Sequence, residues 1–360
     1  MDSTRFPNGF IPRPRTPKNT PSRSKKRSFI VRTFVPVLVA ACAIAAGLFS
    51  LPLILVADIT LAEAQPRDTS TFPVTVDPAT KTIVTDPHVE ALLQTAPKQL
   101  PAAAGTFHYI FQRVALAIAQ LPIYQQLAGV AGVPNLFVSV KAGERQEQVA
   151  TDFGSELGWT TTQRKAFITD SRKLQPNLPQ GSTVPGIYFA SVTDPKDVAS
   201  LVNDRFDSEI LSRYSTSTEN QVPLTDALTI ASLIQREAGS WDDMRMISGI
   251  IWNRLFAGMK LQVDATLQYA SANQAAGKAG WWPTVAPKDK YIKSAYNTYQ
   301  NAGLPPAPIA NPSIAAVLAA LNPKKTDCLF YFHDSHGVFH CSKTYAQHVA
   351  LLKKYYGQGK

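Results

Sequence analysis

Glu237 closes an apolar run, LTIASLIQREAGS at residues 228–240, and its position suits acid–base chemistry. The pattern predicts a helix that starts after Pro223, takes Thr225 as its N-cap and stops near Gly239, a residue that tolerates the left-handed backbone past a helix end. Glu237 then sits in the last turn, beside carbonyls that carry partial negative charge. Leu233, Ile234 and Ala238 surround it with apolar groups. Both surroundings disfavour the carboxylate and favour the protonated form that a general acid needs near neutral pH. The competing reading is a solvated helix-end residue paired with Arg236 or a distant lysine.

The neighbouring segments offer partners for such an acid. Ser240 followed by Asp243 reads as a capping box opening a second helix, and this gives Asp242 and Asp243 a structural role as first-turn anions. Met244, Ile247, Ile251 and Leu255 recur at helical spacing on its core face. Asn253 lies in that helix, where its amide either holds a loop or contacts a substrate. Beyond Gly258, Gln262 and Asp264 alternate with Leu261 and Val263, so a short extended segment presents both polar groups on one side. Asp264 has a second reading, as N-cap of the helix that follows. Tyr296-Asn297-Thr298-Tyr299, Gly303-Leu304-Pro305-Pro306 and Ile309-Ala310-Asn311-Pro312 predict an ordered loop, because proline excludes a helix interior or central strand. Its rings and amides suit the faces, hydroxyls and N-acetyl groups of sugars, and suit ordinary loop packing as well.

These elements must be held by a chain whose charge is unevenly spread. The net charge is +10, yet residues 1–32 alone carry nine basic side chains against one acidic. The other 328 residues hold 27 basic and 25 acidic groups, so the folded part has no basic footprint for nucleic acid. The Pro- and Ser-rich head, 1–32, reads as a disordered cytoplasmic tail. Residues 33–57 contain no charge and are long enough to span a bilayer as one helix. Positive charge before the span places the N-terminus in the cytoplasm and the remaining chain outside the plasma (inner) membrane. Ala62-Glu63-Ala64 resembles a signal-peptide cleavage site, but the apolar run exceeds a usual signal core and favours an uncleaved anchor. Cys328 and Cys341 flank a predicted hairpin and are candidates for a disulfide in an oxidising compartment.

The expected class is α+β, with one transmembrane helix, a small module and a mixed catalytic domain. Residues 58–132 read as an extracytoplasmic spacer. Its first part has little structure of its own, and Phe107, Ile110, Phe111, Val114, Ile118 and Leu121 mark an amphipathic helix near 107–121 that Pro122 ends. It could lie on the membrane, but its polar face is not markedly basic and favours packing on the next domain. Over 133–200 the order is strand, helix, helix, strand with Gly143 at the first corner, which resembles a LysM-like module that binds N-acetyl sugars. Residues 201–360 then form the catalytic domain.

The run from Ala231 to Tyr269, the Tyr296–Pro312 loop and the ending Thr344-Tyr345-Ala346-Gln347-His348 together resemble the YceG-like (MltG-type) endolytic murein transglycosylases. The resemblance covers roughly 220–350 well and the preceding region more loosely. It places the family's catalytic glutamate on Glu237 and its Gln-x-Asp element on Gln262 and Asp264. It implies cleavage of the β-1,4 bond between N-acetylmuramic acid and N-acetylglucosamine, leaving 1,6-anhydro ends, without a metal or cofactor. Gln262, Asp264, Tyr296, Asn297, Tyr299 and Asn253 are the candidate substrate contacts, and peptidoglycan strands, wall synthases and division proteins the candidate partners. Two motifs depart from the family. Phe339-His340-Cys341-Ser342 stands where a His-x-Phe-Ser turn is usual, and Pro185-Gly186 lacks the usual glutamate. Two rivals remain: a non-catalytic wall-binding scaffold, and a metal hydrolase using His333, His336, His340 and His348, whose spacing matches no standard ligand pattern.

Overall fold

The computed structural model describes residues 23–64, 70–95, 106–130, 136–190 and 192–357. Its elements are α1 (Arg23–Ala64), β1 (Val76–Asp77), β2 (Thr82–Ile83), α2 (Pro87–Thr95), α3 (Thr106–Ala119), α4 (Pro122–Val130) and β3 (Phe137–Val140). They continue with α5 (Gln146–Glu156), α6 (Thr161–Leu174), β4 (Gly186–Phe189), α7 (Pro195–Glu209), α8 (Thr216–Gln221), α9 (Leu224–Glu237) and α10 (Trp241–Phe256). The last are α11 (Asp264–Gln274), α12 (Ile314–Leu321), β5 (Phe330–His333), β6 (Phe339–Ser342) and α13 (Tyr345–Tyr356). Three antiparallel strand pairs, β1–β2, β3–β4 and β5–β6, lie among these helices, and the class is a helix-rich α+β fold.

Two compact units divide between Leu51 and Pro52. Within α1, Val35–Asp58 form 24 residues of mean hydropathy 2.5, long and apolar enough to cross a membrane. The helix begins at Arg23, inside the segment expected to be disordered, because the Arg, Lys and Ser residues there continue the apolar helix without a breaker. The rest of the expected tail, residues 1–22, lies outside the described residues.

The second unit has two apolar cores. The larger gathers Leu228, Ile230, Leu233 and Ile234 of α9 with Ile247, Ile251 and Trp252 of α10 and Val317 and Leu321 of α12. Phe72, Val76 and Leu93 join it from the segment expected to be a structureless spacer. Over residues 70–95 that expectation is corrected. The Thr75 N–H donates to the Leu321 carbonyl at 3.0 Å, the Asn322 amide donates to Pro73 O at 2.8 Å, and Arg245 grips both oxygens of Glu90. A polar, Pro-rich stretch folds here because other elements supply the core into which its few apolar side chains fall.

The smaller core joins Val138, Val140, Val149, Phe153, Trp159, Phe167 and Tyr188. It fills a strand–helix–helix–strand unit in which β3 and β4 pair antiparallel, with Val138 opposite Tyr188. The helix expected near 107–121 corresponds to α3, and a second helix, α4, follows it. Helix α3 stops at Ala119 and Pro122 opens α4, where proline's missing N–H costs no helical bond.

Candidate active site

Glu237 is the last residue of α9, and the next residue, Ala238, is already extended. The helix starts one turn's edge earlier than expected, with Pro223 in the cap position instead of Thr225. Gly239 is absent from the glycines with positive φ. The chain leaves α9 extended and enters the extended N-cap Ser240 of α10, so no left-handed turn is needed. The Ser240 hydroxyl accepts from the Asp243 N–H at 3.2 Å, half of the expected capping box.

Glu237 is half-buried, open enough to be reached and deep enough for desolvation to dominate. Burial raises its pKa above the ordinary carboxylate value, and the nearby charge of Asp264 raises it further. A hydrogen bond from the Tyr331 hydroxyl to Oε2, at 2.9 Å, opposes this. So do the Ala265 N–H and the His333 side chain. Tyr331 itself is held well above its usual value by burial and by the neighbouring Glu237. The hydroxyl therefore stays a donor whatever the state of the carboxyl.

Tyr331 and the arginine that frames it were not picked out from sequence, and His333 was read there only as a candidate metal ligand. The available signal was strand alternation in Phe330-Tyr331-Phe332-His333. Tyr331 and His333 turn toward α9 and α10, where His333 Nε2 lies 3.4 Å from Asp243 Oδ2. Phe330 and Phe332 turn the other way, against His348 and the tyrosines of α13. His340 shares that second face: its ring stacks 5.1 Å from Phe332 and it meets Asp334 at 2.9 Å. One position along a strand reverses the face, which is why His340 does not look toward Glu237. Its neighbour Phe339 does, and pairs across the strands with His333. The four C-terminal histidines are thus dispersed; His336 lies exposed in the turn.

Arg254, buried in α10, donates to Leu329 O at 2.6 Å and Leu261 O at 2.5 Å. It ties the segment entering β5, which carries Tyr331, to the segment entering α11, which carries Asp264. Disulfide Cys328–Cys341 closes the same hairpin, with Cα atoms 5.8 Å apart. A surface hollow of about 600 Å³ beside it, lined by Lys343, Gln347 and Lys354, includes none of Glu237, Asp264 and Tyr331.

The two loop motifs meet beside this acid, though not all their side chains face it. Thr298 Oγ1 accepts from the Val263 N–H at 3.0 Å, and Thr298 O accepts from the Gln262 N–H at 3.1 Å. These bonds hold Gln262 at φ 51°, a left-handed conformation that costs a non-glycine residue about 1–2 kcal/mol. Val263, not Asp264, is the N-cap of α11. Asp264 is exposed and accepts from the Tyr299 hydroxyl at 2.5 Å. Tyr296 packs on Tyr269 with ring centroids 4.6 Å apart, and burial pushes its hydroxyl up to about 12.

Two expected contacts are corrected. Asn297 is wholly buried; it donates to Lys290 O at 3.1 Å and Ile292 O at 2.8 Å and accepts from the Tyr299 N–H at 2.9 Å. It shapes the loop that presents Tyr296 and Tyr299. Asn253 spends its amide protons on Thr326 O and Cys328 O, at 2.7 and 3.1 Å. It holds the chain leading to β5. Asn311 plays the same kind of part, for its amide and main chain join Glu144 O to the N–H groups of Gly181 and Thr183.

The strand–helix–helix–strand unit is docked on this region. Arg145, at the start of α5, lies 4.1 Å from the Tyr269 ring and 4.6 Å from the Trp281 ring, and Trp282 donates to Gln148 at 3.0 Å. Gly143, at φ +84°, lets the turn before α5 pass close to Arg236; a Cβ there would stand 3.2 Å from that guanidinium.

The geometry gathers one shielded carboxyl, Glu237, a phenol that donates to it, Tyr331, and an exposed aspartate, Asp264, that accepts from Tyr299. The chain belongs to the YceG-like family, whose profile matches residues 93–354. It is 37% identical over 254 residues to the endolytic murein transglycosylase of Bacillus subtilis, covering 65% of this chain and 69% of that protein. It is 32% identical over 161 residues to the endolytic murein transglycosylase of Streptococcus pneumoniae strain D39, covering 43% of this chain and spanning 28% of that longer relative. The crystal structure of a YceG-like protein from Listeria monocytogenes superposes with a TM-score of 0.53 at 24% identity, over 64% of this chain and 80% of that one.

Proposed function

We propose that the chain is a lytic transglycosylase that cuts the β-1,4 bond between N-acetylmuramic acid and N-acetylglucosamine in peptidoglycan strands. The observation that carries this reading is Glu237: a carboxyl raised by burial and oriented by Tyr331, with Asp264 the further carboxylate acting on it among the described residues. In the first half-reaction Glu237 protonates the leaving glycosidic oxygen as positive charge develops at the muramoyl C1. The resulting carboxylate then takes the proton from the C6 hydroxyl, whose oxygen closes on C1 to give the 1,6-anhydro ring. The same group begins and ends protonated, so a pKa near ambient pH serves both steps. Hydrolysis by two carboxylates generally requires a second base or nucleophile at a defined separation; Asp264 is instead committed to Tyr299 and acts by orienting.

Tyr296, Tyr299 and Gln262 are the side chains we assign to the sugar. Tyrosine faces supply stacking area, and Gln262 is held under backbone strain that the loop geometry imposes, a pattern found where position matters to function. Gln262→Gly is expected to leave thermal stability equal or slightly higher, since glycine accepts positive φ, while raising KM several-fold; kinetics beside a melting curve separates the two effects. The strand–helix–helix–strand unit, with its antiparallel β3–β4 pair, supports a LysM-like, glycan-holding role beside the cutting site. The basic N-terminal segment before an apolar helix supports a single-pass anchor with the enzyme outside the membrane, and the disulfide suits that compartment. Synthases that extend nascent strands, or division proteins, are the partners such a placement implies.

Digestion of purified sacculi followed by mass spectrometry tests the reading: 1,6-anhydro ends are expected, and reducing ends would make the protein a hydrolase. The pH profile tests the acid. Asp264→Asn removes a negative neighbour and lowers the Glu237 pKa, so the alkaline limb of activity is expected to move to lower pH. Tyr331→Phe removes a bond that favours the carboxylate and raises the pKa, so that limb should move to higher pH. Shifts in the same direction would refute this electrostatic assignment.

A further inference from the structure

The helices α3 and α4 are built inside out for a water-soluble protein. Their buried residues are small or carry a polar tip, namely Ala115 and Ala119 on α3 and Tyr124 and Ala128 on α4. Five of their large aliphatic residues face outward: Ile110 is 53% exposed, Ile123 60% and Leu127 55%, with Val114 and Leu121 beside them in the exposed set, while Leu116 and Ile118 are half-buried. None of these five joins either apolar core. A soluble amphipathic helix turns such residues inward.

Helix α3 is too short to cross a membrane by itself. The apolar part of α3, Ile110–Ala119, is ten residues, half of what a span requires. An apolar helix of that length belongs in a core or in a membrane interface, and the outward aliphatics of α3 stand outside both apolar cores. Charge points the same way. No Asp or Glu occurs between Glu90 and Glu144, while Lys98, Arg113 and Lys141 do, so the segment carries nothing that anionic headgroups repel. The pair follows the apolar helix Val35–Asp58 by about fifty residues, in the same chain.

We propose that α3 and α4 form an interfacial hairpin whose Ile110–Val114 and Leu121–Ile123–Leu127 faces lie in the headgroup and upper acyl layer of the bilayer that holds α1. The proposal rests on the anchored reading above and adds a second point of attachment. Two attachments would hold the catalytic unit against the bilayer surface, where newly made strands emerge, instead of letting it swing on a flexible tether.

The test uses full-length protein in single-copy nanodiscs of anionic phospholipid. Cys42 is a free thiol in α1 and Cys328–Cys341 are bonded, so Cys42 labelled with an environment-sensitive fluorophore reports the anchor. In a Cys42→Ala background, Ile123→Cys and Leu127→Cys report the hairpin, and Ser217→Cys, at an exposed helical position, is the solvent control. Labels at 123 and 127 are expected to be quenched by shallow nitroxide lipids, and protected from aqueous iodide by roughly threefold or more relative to 217. The Ile110→Cys label should lose that lipid quenching when Ile123 and Leu127 are both changed to Glu, with sacculus cleavage by detergent-solubilised protein unchanged. Hairpin labels as open to iodide as the control overturn the proposal, and labels shielded from both quenchers overturn it in favour of protein packing. Loss of lipid quenching at Cys42 alone overturns the anchor and leaves the hairpin result standing.

Discussion

Glu237→Gln is expected to reduce release of 1,6-anhydro muropeptides from sacculi by roughly 10³–10⁴-fold, with the fold intact. A positioned general acid contributes about 10²–10⁴-fold, and here one carboxyl is asked to serve both half-reactions. Gln keeps the shape and the acceptor for the Tyr331 hydroxyl but has no proton to give and no basic oxygen to recover one. The variant also has a stability signature. Because burial raises the folded pKa of Glu237, this group's contribution is most favourable below the unfolded carboxylate range and is lost as pH rises through the folded value. Gln carries no such penalty, so above that pH the variant should melt at the same temperature as the parent or higher. Full activity in Glu237→Gln would end the assignment; a large drop in melting temperature would show that the residue serves structure instead.

Asn297→Ala should act on the fold before it acts on substrate. The change strands two main-chain carbonyls and the Tyr299 N–H, at a cost of about 2–4 kcal/mol for partly buried groups. For a unit of this size that corresponds to a melting temperature lower by roughly 3–6 °C. Activity should fall with it, because Tyr299 and Asp264 lose their positions together. An unchanged melting curve with a higher KM would return Asn297 to the set of sugar contacts.

These outcomes differ from what residue type alone suggests. Asn253, Asn297 and Asn311 read in sequence as amides available to a sugar, yet each is spent on main-chain groups of its own loops. The reason is general: a buried turn leaves carbonyls and N–H groups that must be paired, and an asparagine amide offers donors and an acceptor at the right reach. Tyr331 was hidden for the opposite cause. In a four-residue strand of alternating aromatics, all four residues look like packing, and only the partner elements reveal which face is core and which face meets Glu237.

Periodicity and punctuation in the chain were enough to determine the helix ending at Glu237, the helices on either side of the Gln262–Asp264 segment, the strand–helix–helix–strand order, the hairpin and the membrane-length apolar run, because each depends on contacts within about a dozen residues. Tertiary structure alone decided that Phe72, Val76 and Leu93 complete the main core, that Arg254 ties two distant loops together, and that His333 rather than His340 looks toward the acid. Those facts depend on which surfaces meet across many tens of residues of chain, and on a strand parity that reverses with a shift of one position.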